Sequence, residues 1–137
     1  KAFIINVVPH ALGTAMVHTS GGFATDVDEF DQAGLEAIPG ETVAADRVVG
    51  SPIQFECRLL QTVPIHDPDD PVDPTVPTAH VFIGQIALIH VDDAVVGDDG
   101  RIDPALVDTV GRMGGGDYCT TRDRFKLKRP VVKSPND

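Results

Sequence analysis

A chain of 137 residues with 42% apolar content is long enough for one domain with its own core and too apolar to be globally disordered. Its net charge of −10, from 21 acids against 11 lysines and arginines, disfavours nucleic acid and anionic membrane as partners, because both are polyanions. No run reaches the ~18 apolar residues of a membrane span, and no secretory signal opens the chain, so a cytoplasmic protein is expected.

Phe3 to Val8 is β-branched and short, which predicts a buried strand ended by Pro9. Residues 10–18 place Ala11, Leu12, Ala15 and Met16 at helical spacing, weakened by Gly13. A polar loop follows at Thr19 to Phe23. Residues 25–34 read as a short helix, with Thr25 as N-cap, acids in its first turn and Gly34 at its left-handed end. A short strand is expected near Val43 to Val49. From Ile53 to Val63 the pattern alternates: Ile53, Phe55, Cys57 and Leu59 face one way, Gln54, Glu56 and Arg58 the other, as in a strand with one buried face. Residues 66–77, "HDPDDPVDPTVP", exclude helix and internal strand and predict a mobile connecting loop.

The next strand, His80 to Val91, is apolar on both faces, which predicts a central position or cover on both sides. Gly84 within it marks a bulge or a close backbone approach. Asp98-Asp99-Gly100 is a turn. "DPALVDTVG" then reads as a helix capped by Asp103, opened by Pro104 and stopped by Gly111. After the glycine-rich "GRMGGGDYCTT", Phe125 to Lys128 alternates as a last, exposed strand, and residues 131–137 form a tail beyond a single domain at 1–130. Short strands with a few small helices favour a mainly β, α+β or barrel architecture over a doubly wound sheet.

Several chemistries are excluded by pattern. The glycine loop lacks Gly-Lys-Ser/Thr, and its glycines follow a helix where a Rossmann turn would precede one. Cys57 and Cys119 fit no disulfide framework or zinc spacing, the five histidines fit no zincin motif, and no G-x-S-x-G elbow occurs. No metal is expected. Four residue groups retain chemical interest. His80, at a strand mouth, can donate to a ligand or be an ordinary polar strand end; His90 reads as a hydrogen-bonded core residue. Arg112 can pair with an anion or satisfy the last helix carbonyls. Tyr118 can stack on a ring system or anchor its own loop. The glycines at 114–116 allow positive φ and close backbone approach, which a tight turn also requires.

Six stretches occur here in a familiar order: "FIINVV", "VDEFDQAGL", "SPIQFECRLLQ", "AHVFIGQIALIHVDD", "DGRIDPALVDTVGRMGGGDY" and "FKLKRP". Together, from residue 2 to about residue 130, they resemble the C-terminal two-thirds of the flavin reductase-like family, the FMN-binding split-barrel proteins related to flavoredoxin. The resemblance implies a six-stranded antiparallel split β-barrel with short helices, a homodimer, and FMN near the subunit interface. It implies that His80 heads the strand on the nicotinamide or flavin side. It places Arg112, Gly114, Gly115 and Tyr118 in a loop approaching the flavin, and Thr19 and Ser20 near the cofactor. The family's leading strands, whose Ser-x-x-Pro-Pro and Lys-Asp-Thr-type segments hold the FMN phosphate, are absent from this sequence. The implied activity is FMN-dependent hydride transfer from NAD(P)H to flavin, with a monooxygenase as a possible partner. A non-catalytic FMN carrier or sensor, and a structural dimerisation barrel, are the alternatives.

Overall fold

The computed structural model describes residues 1–67 and 75–130; residues 68–74, within the proline loop read from the sequence, and the tail 131–137 lie outside the described residues. Strand β1 (Ala2–Asn6) pairs antiparallel with β4 (Ile53–Ile65), and β4 with β5 (Ala79–Val91), giving one sheet in the order β1-β4-β5. Two-stranded ribbons are made by β2 (Ala37–Pro39) with β3 (Asp46–Val48), and by β6 (Val110–Gly114) with β7 (Asp117–Thr120). The helices are short: α1 (Gly13–His18), entered through a 3-10 turn at His10–Leu12, then α2 (Glu29–Ala33) and α3 (Pro104–Val107). The architecture is mainly β with small helices, as expected. Among the described residues the strands form separate antiparallel sheets and no closed barrel.

Directly paired residues share a sheet face. Phe3, Ile5, Phe55, Cys57, Ile86 and Ile89 therefore lie on one side, and Ile4, Asn6, Gln54, Glu56 and His90 on the other. The core sits at one end of the first face, where Ile53, Val95 and Val107 are buried against Val7 and Phe55. The second face departs from the alternation read in the sequence. Gln54 and Glu56, expected to face solvent, are 4% and 0% exposed. They are buried because the β2–β3 ribbon folds over them and supplies hydrogen-bonding partners.

β5 departs as well. It is an edge strand, not a central one, and Phe82 and Ile86 are 61% and 51% exposed. Among the described residues no strand lies on its outer side. Gly84 is a close approach: a Cβ there would lie 2.6 Å from Cζ of Phe3, whose ring crosses β4 to reach it. Gly84→Ala is therefore expected to cost about 1–3 kcal/mol by overpacking, read as a lower urea midpoint at unchanged slope. Phe3→Leu in the same chain should restore most of it. An unchanged midpoint for the single variant would show that the ring moves aside freely.

The helix boundaries show which side chains win the caps. Asp28, not Thr25, caps α2: its Oδ1 accepts from the Phe30 amide at 2.9 Å, and Gly34 ends the helix at φ 63° as read from the sequence. In α3, Asp103 and Pro104 take the predicted places, the Asp103 carboxylate accepting from the Ala105 amide at 2.7 Å. The helix then stops three residues before Gly111. Asp108 turns left-handed at φ 48°, and Arg122 grips its carboxylate through Nε at 2.7 Å and Nη2 at 2.6 Å. Early termination releases residues 110–114 to form β6. Phe125 to Lys128 form no strand; Phe125 and Leu127 are exposed, and among the described residues no strand pairs with them.

Candidate functional site

The β6–β7 hairpin is the glycine-rich segment seen in chain order, and it is docked on the end of β1. The Val110 amide donates to Val8 O at 3.1 Å, the His10 amide donates to Asp108 O at 2.8 Å, and Pro9 bridges Thr109. In the hairpin Arg112 stands opposite Tyr118. Gly114 and Gly115 make the reversal with φ of 135° and 53°, values that only glycine adopts without strain. No atom outside the immediate chain neighbours comes within 4 Å of a Cβ built at Gly114, Gly115 or Gly116, so these positions form an open backbone surface. Arg112 does not cap a helix. Its Nη2 donates to Gly115 O at 3.2 Å, which folds the guanidinium over the glycine turn.

Between this hairpin and α1 lies a cavity of about 660 Å³ lined by Ser20, Arg112, Gly115, Gly116 and Tyr118, with Val8, Met16 and Val17 as apolar wall. Four of the residues singled out in the sequence, Ser20, Arg112, Gly115 and Tyr118, thus converge on one space. Thr19 does not. It lines a cavity of about 370 Å³ on the other side of α1, and its hydroxyl donates to Met16 O at 2.8 Å. Gly114 shapes the turn without lining the cavity. His80 pairs with Pro64 at the far end of β5, ten residues and roughly 30 Å of strand from His90. Its ring stacks on Phe82, and it lines neither this cavity nor its neighbour.

A second chamber, also about 660 Å³, adjoins the first and shares Val17, Ser20, Val110 and Tyr118 with it; its own contributions include His10, Thr14, His18 and Phe23. Neither chamber is lined by a carboxylate. Three other cavities each carry acids: Glu29 and Asp46 in one, Asp92 in another, and Asp98, Asp99 and Asp103 in a third. In a chain with 21 acids, the paired chambers are the sites electrostatically suited to an anion.

The sequence reading missed a polar network on the buried face of the main sheet. The Glu56 carboxylate accepts from the Glu41 amide at 2.7 Å, from the Thr42 amide and hydroxyl at 2.6 Å each, and stands 2.7 Å from His90 Nε2. Burial pushes its carboxyl pKa up. The Thr42 hydroxyl, the Glu41 amide, the His90 ring and the Thr42 amide outweigh burial and hold it well below the usual carboxylate range. Arg47 extends the network to Gln54 Oε1 at 3.1 Å, and the Gln54 amide donates to Val48 O at 2.7 Å. Every bond in this set closes within the protein, so the network fixes the β2–β3 ribbon onto the sheet. His90 is a hydrogen-bonded interior residue, as the sequence suggested. Among the described residues no group of His, Cys, Asp and Glu side chains is arranged to hold a metal ion, and no helix is long and apolar enough to cross a membrane.

Three comparisons bear on this geometry. The family model for the flavin reductase like domain matches residues 1–115. An uncharacterized protein of Aquifex aeolicus (strain VF5) is 30% identical over 128 residues, covering 93% of this chain and 60% of the relative; the chain thus spans about three-fifths of that protein's length. Among solved structures, nitrilotriacetate monooxygenase component B from Bacillus cereus superposes with TM-score 0.79 at 22% identity, over 90% of this chain and 58% of that one. A putative flavin reductase with split barrel domain from Shewanella frigidimarina NCIMB 400 superposes with TM-score 0.73 at 25% identity, over 93% and 60%.

Proposed function

Because the chain belongs to the flavin reductase-like domain family, we propose that it is an oxidoreductase that takes FMN as cofactor and a reduced nicotinamide nucleotide as electron donor. The observation that carries this reading is the convergence of Ser20, Arg112, Gly115, Gly116 and Tyr118 on one carboxylate-free cavity in an acidic chain.

The residues present fit the ring part of such a cofactor. The glycine backbone leaves open surface where a side chain would intrude, Val8 and Val17 offer apolar wall, and Tyr118 supplies an aromatic ring with a hydroxyl. The Arg112 guanidinium supplies donors that match the carbonyl oxygens and ring nitrogen of a flavin's polar edge. Beyond Arg112, nothing lining this cavity resembles a phosphate cradle. Bound FMN would supply the two-electron hydride chemistry. The chain's own residues then bind, orient and exclude water. The same reading takes the active form to be a homodimer in the cytoplasm, with a monooxygenase as a possible consumer of reduced flavin.

The test is a titration of the purified full chain with FMN, following quenching of flavin fluorescence, then addition of NADH or NADPH with absorbance monitoring of nicotinamide oxidation. Saturable quenching and FMN-dependent oxidation are expected. Saturable quenching with no oxidation would leave a carrier; no quenching at any FMN concentration would remove the flavin reading altogether.

A further inference from the structure

We propose that the Asp108–Arg122 ion pair is a positioning clamp for the β6–β7 hairpin, setting the place of Arg112 and Tyr118 and so the flavin affinity of the first chamber, although neither residue of the pair lines it. This rests on the flavin reading of that chamber, since it names what holds the same site in shape.

The hairpin is held from one side. Its β6 arm is tied to the end of β1: the Val110 amide donates to Val8 O at 3.1 Å, and the His10 amide to Asp108 O at 2.8 Å. Its β7 arm, which carries Tyr118, pairs with β6 and with no other strand among the described residues. Beyond β7 the Thr121 amide donates to Thr109 O at 3.1 Å, and the Arg122 side chain reaches back to Asp108. A two-stranded hairpin is marginal by itself, and the glycine tip is open, so the base decides where the hairpin points. The five residues of β6 cover about 17 Å, and a tilt of about 10° at the base carries the tip about 3 Å. A ligand site needs its groups held to within about 0.5 Å.

The pair is built to fix a direction. Arg122 Nε meets Asp108 Oδ1 at 2.7 Å and Nη2 meets Oδ2 at 2.6 Å. Such a two-point contact sets the planes of both groups, where a point charge would set only a distance. The carboxylate belongs to the one non-glycine residue of positive φ among the described residues, at the turn where the chain leaves α3 for β6. A Cβ makes that conformation costly, and glycine would serve a turn alone. Aspartate supplies what glycine cannot, a partner for Arg122. The Arg122 side chain is 60% exposed, so the pair adds little to global stability; its consequence is orientation.

The chain has one tyrosine and no tryptophan, so its ultraviolet emission reports Tyr118 alone. In the full chain, acrylamide quenching of that emission is measured without flavin, FMN affinity by flavin fluorescence, and melting temperature by circular dichroism. Arg122→Ala is expected to raise the Tyr118 quenching constant roughly twofold, from a residue 38% exposed in place. It is expected to weaken FMN binding roughly tenfold while melting within a few degrees of the parent. Asp108→Gly should match it, and the double variant should be no worse than either, because both remove one contact. Arg122→Lys, which keeps the charge without the fork, should fall between Arg122→Ala and the parent. Arg124→Ala removes the same charge from the same segment and breaks no hydrogen bond or ion pair among the described residues; it should bind FMN within about twofold of the parent.

Parent-like binding by Asp108→Gly beside a weakened Arg122→Ala overturns the proposal, since the pair would then serve only the left-handed turn. Additive losses overturn it, as does an Arg124→Ala loss equal to that of Arg122→Ala. A melting temperature of Arg122→Ala far below the parent's makes the pair a stability element and also overturns it. If the parent and Arg122→Ala bind FMN equally, the clamp falls and the flavin reading stands. If the parent binds no FMN, the flavin reading falls, and Tyr118 quenching alone decides whether the pair holds the hairpin.

Discussion

Replacing Glu56 with alanine will lower the melting temperature by roughly 10–20 °C, the largest stability loss expected from any single truncation in the sheet. The side chain is completely buried and receives three donors from the β2–β3 turn, two amides and a hydroxyl, besides its 2.7 Å contact with His90. Alanine would leave those donors in a buried site without the acceptor they now share. Glu56→Gln retains one acceptor oxygen and turns an NH2 toward groups that donate, so it should lose about half as much. Calorimetry gives the melting temperatures, and hydrogen exchange at the Glu41 and Thr42 amides gives the location. A Glu56→Ala protein melting within a few degrees of the parent would show that water enters the site and replaces the carboxylate.

The same network fixes the sign of the acid limb. A carboxyl whose folded pKa lies below its ordinary value contributes stability that is complete above that value, 4.5 for Glu56, and is lost as the pH falls below it. Asp108 shifts in the same direction: the hydrogen bonds from Arg122 lead, burial opposes them, and the charges of Arg122 and His10 add to the lowering. Between about pH 5 and pH 3 the parent's melting temperature should therefore fall more steeply than that of Glu56→Gln. Parallel slopes would remove Glu56 as the source.

How much of this was legible in the sequence depends on where each residue's partners lie. Local partners were readable. Asp103 and Pro104, Gly34 at its left-handed end, and the Asp98-Asp99-Gly100 turn follow from contacts within a few residues, and the structure has them all. Gly84 was read correctly as a close approach, although the Phe3 ring it accommodates could not be named. Partners distant in sequence were not readable. Glu56 looks like the solvent-facing member of an alternating strand until residues 41–42 fold over it. Asp108 looks like a mid-helix residue until Arg122, fourteen positions on, stabilises its left-handed turn. His10 and His18 gave no motif, because the cavity they share is closed by Val110 and Tyr118 of a hairpin about a hundred residues later. The extended apolar run at β5 predicts a central strand or one covered on both sides, yet nothing in composition says which side of a sheet is open among the described residues. The convergence of arginine, glycines and tyrosine on one cavity was legible for a simpler reason: they lie within one hairpin, so chain order and spatial order coincide.

That hairpin gives the second large expected effect. Arg112→Ala and Tyr118→Ala should each weaken FMN binding by roughly ten- to a hundredfold, through loss of charge-assisted donors in one case and of a stacking ring in the other. Gly115→Val should weaken it further. A β-branched residue is strained at φ 53°, and its side chain would project from the surface that the glycines leave open. Arg112→Ala and Tyr118→Ala should cost little stability, because neither side chain is buried and neither belongs to the Ile53, Val95 and Val107 core, whereas Gly115→Val should also cost about 1–3 kcal/mol of backbone strain. Met113→Ala is the control on the same hairpin: its side chain is 71% exposed and lines neither chamber, so FMN binding should stay within about twofold. Fluorescence titration of the four variants separates a ligand surface from a turn. If Arg112→Ala and Tyr118→Ala bind FMN as Met113→Ala does, the glycines serve only the reversal of the chain, and the flavin must sit elsewhere.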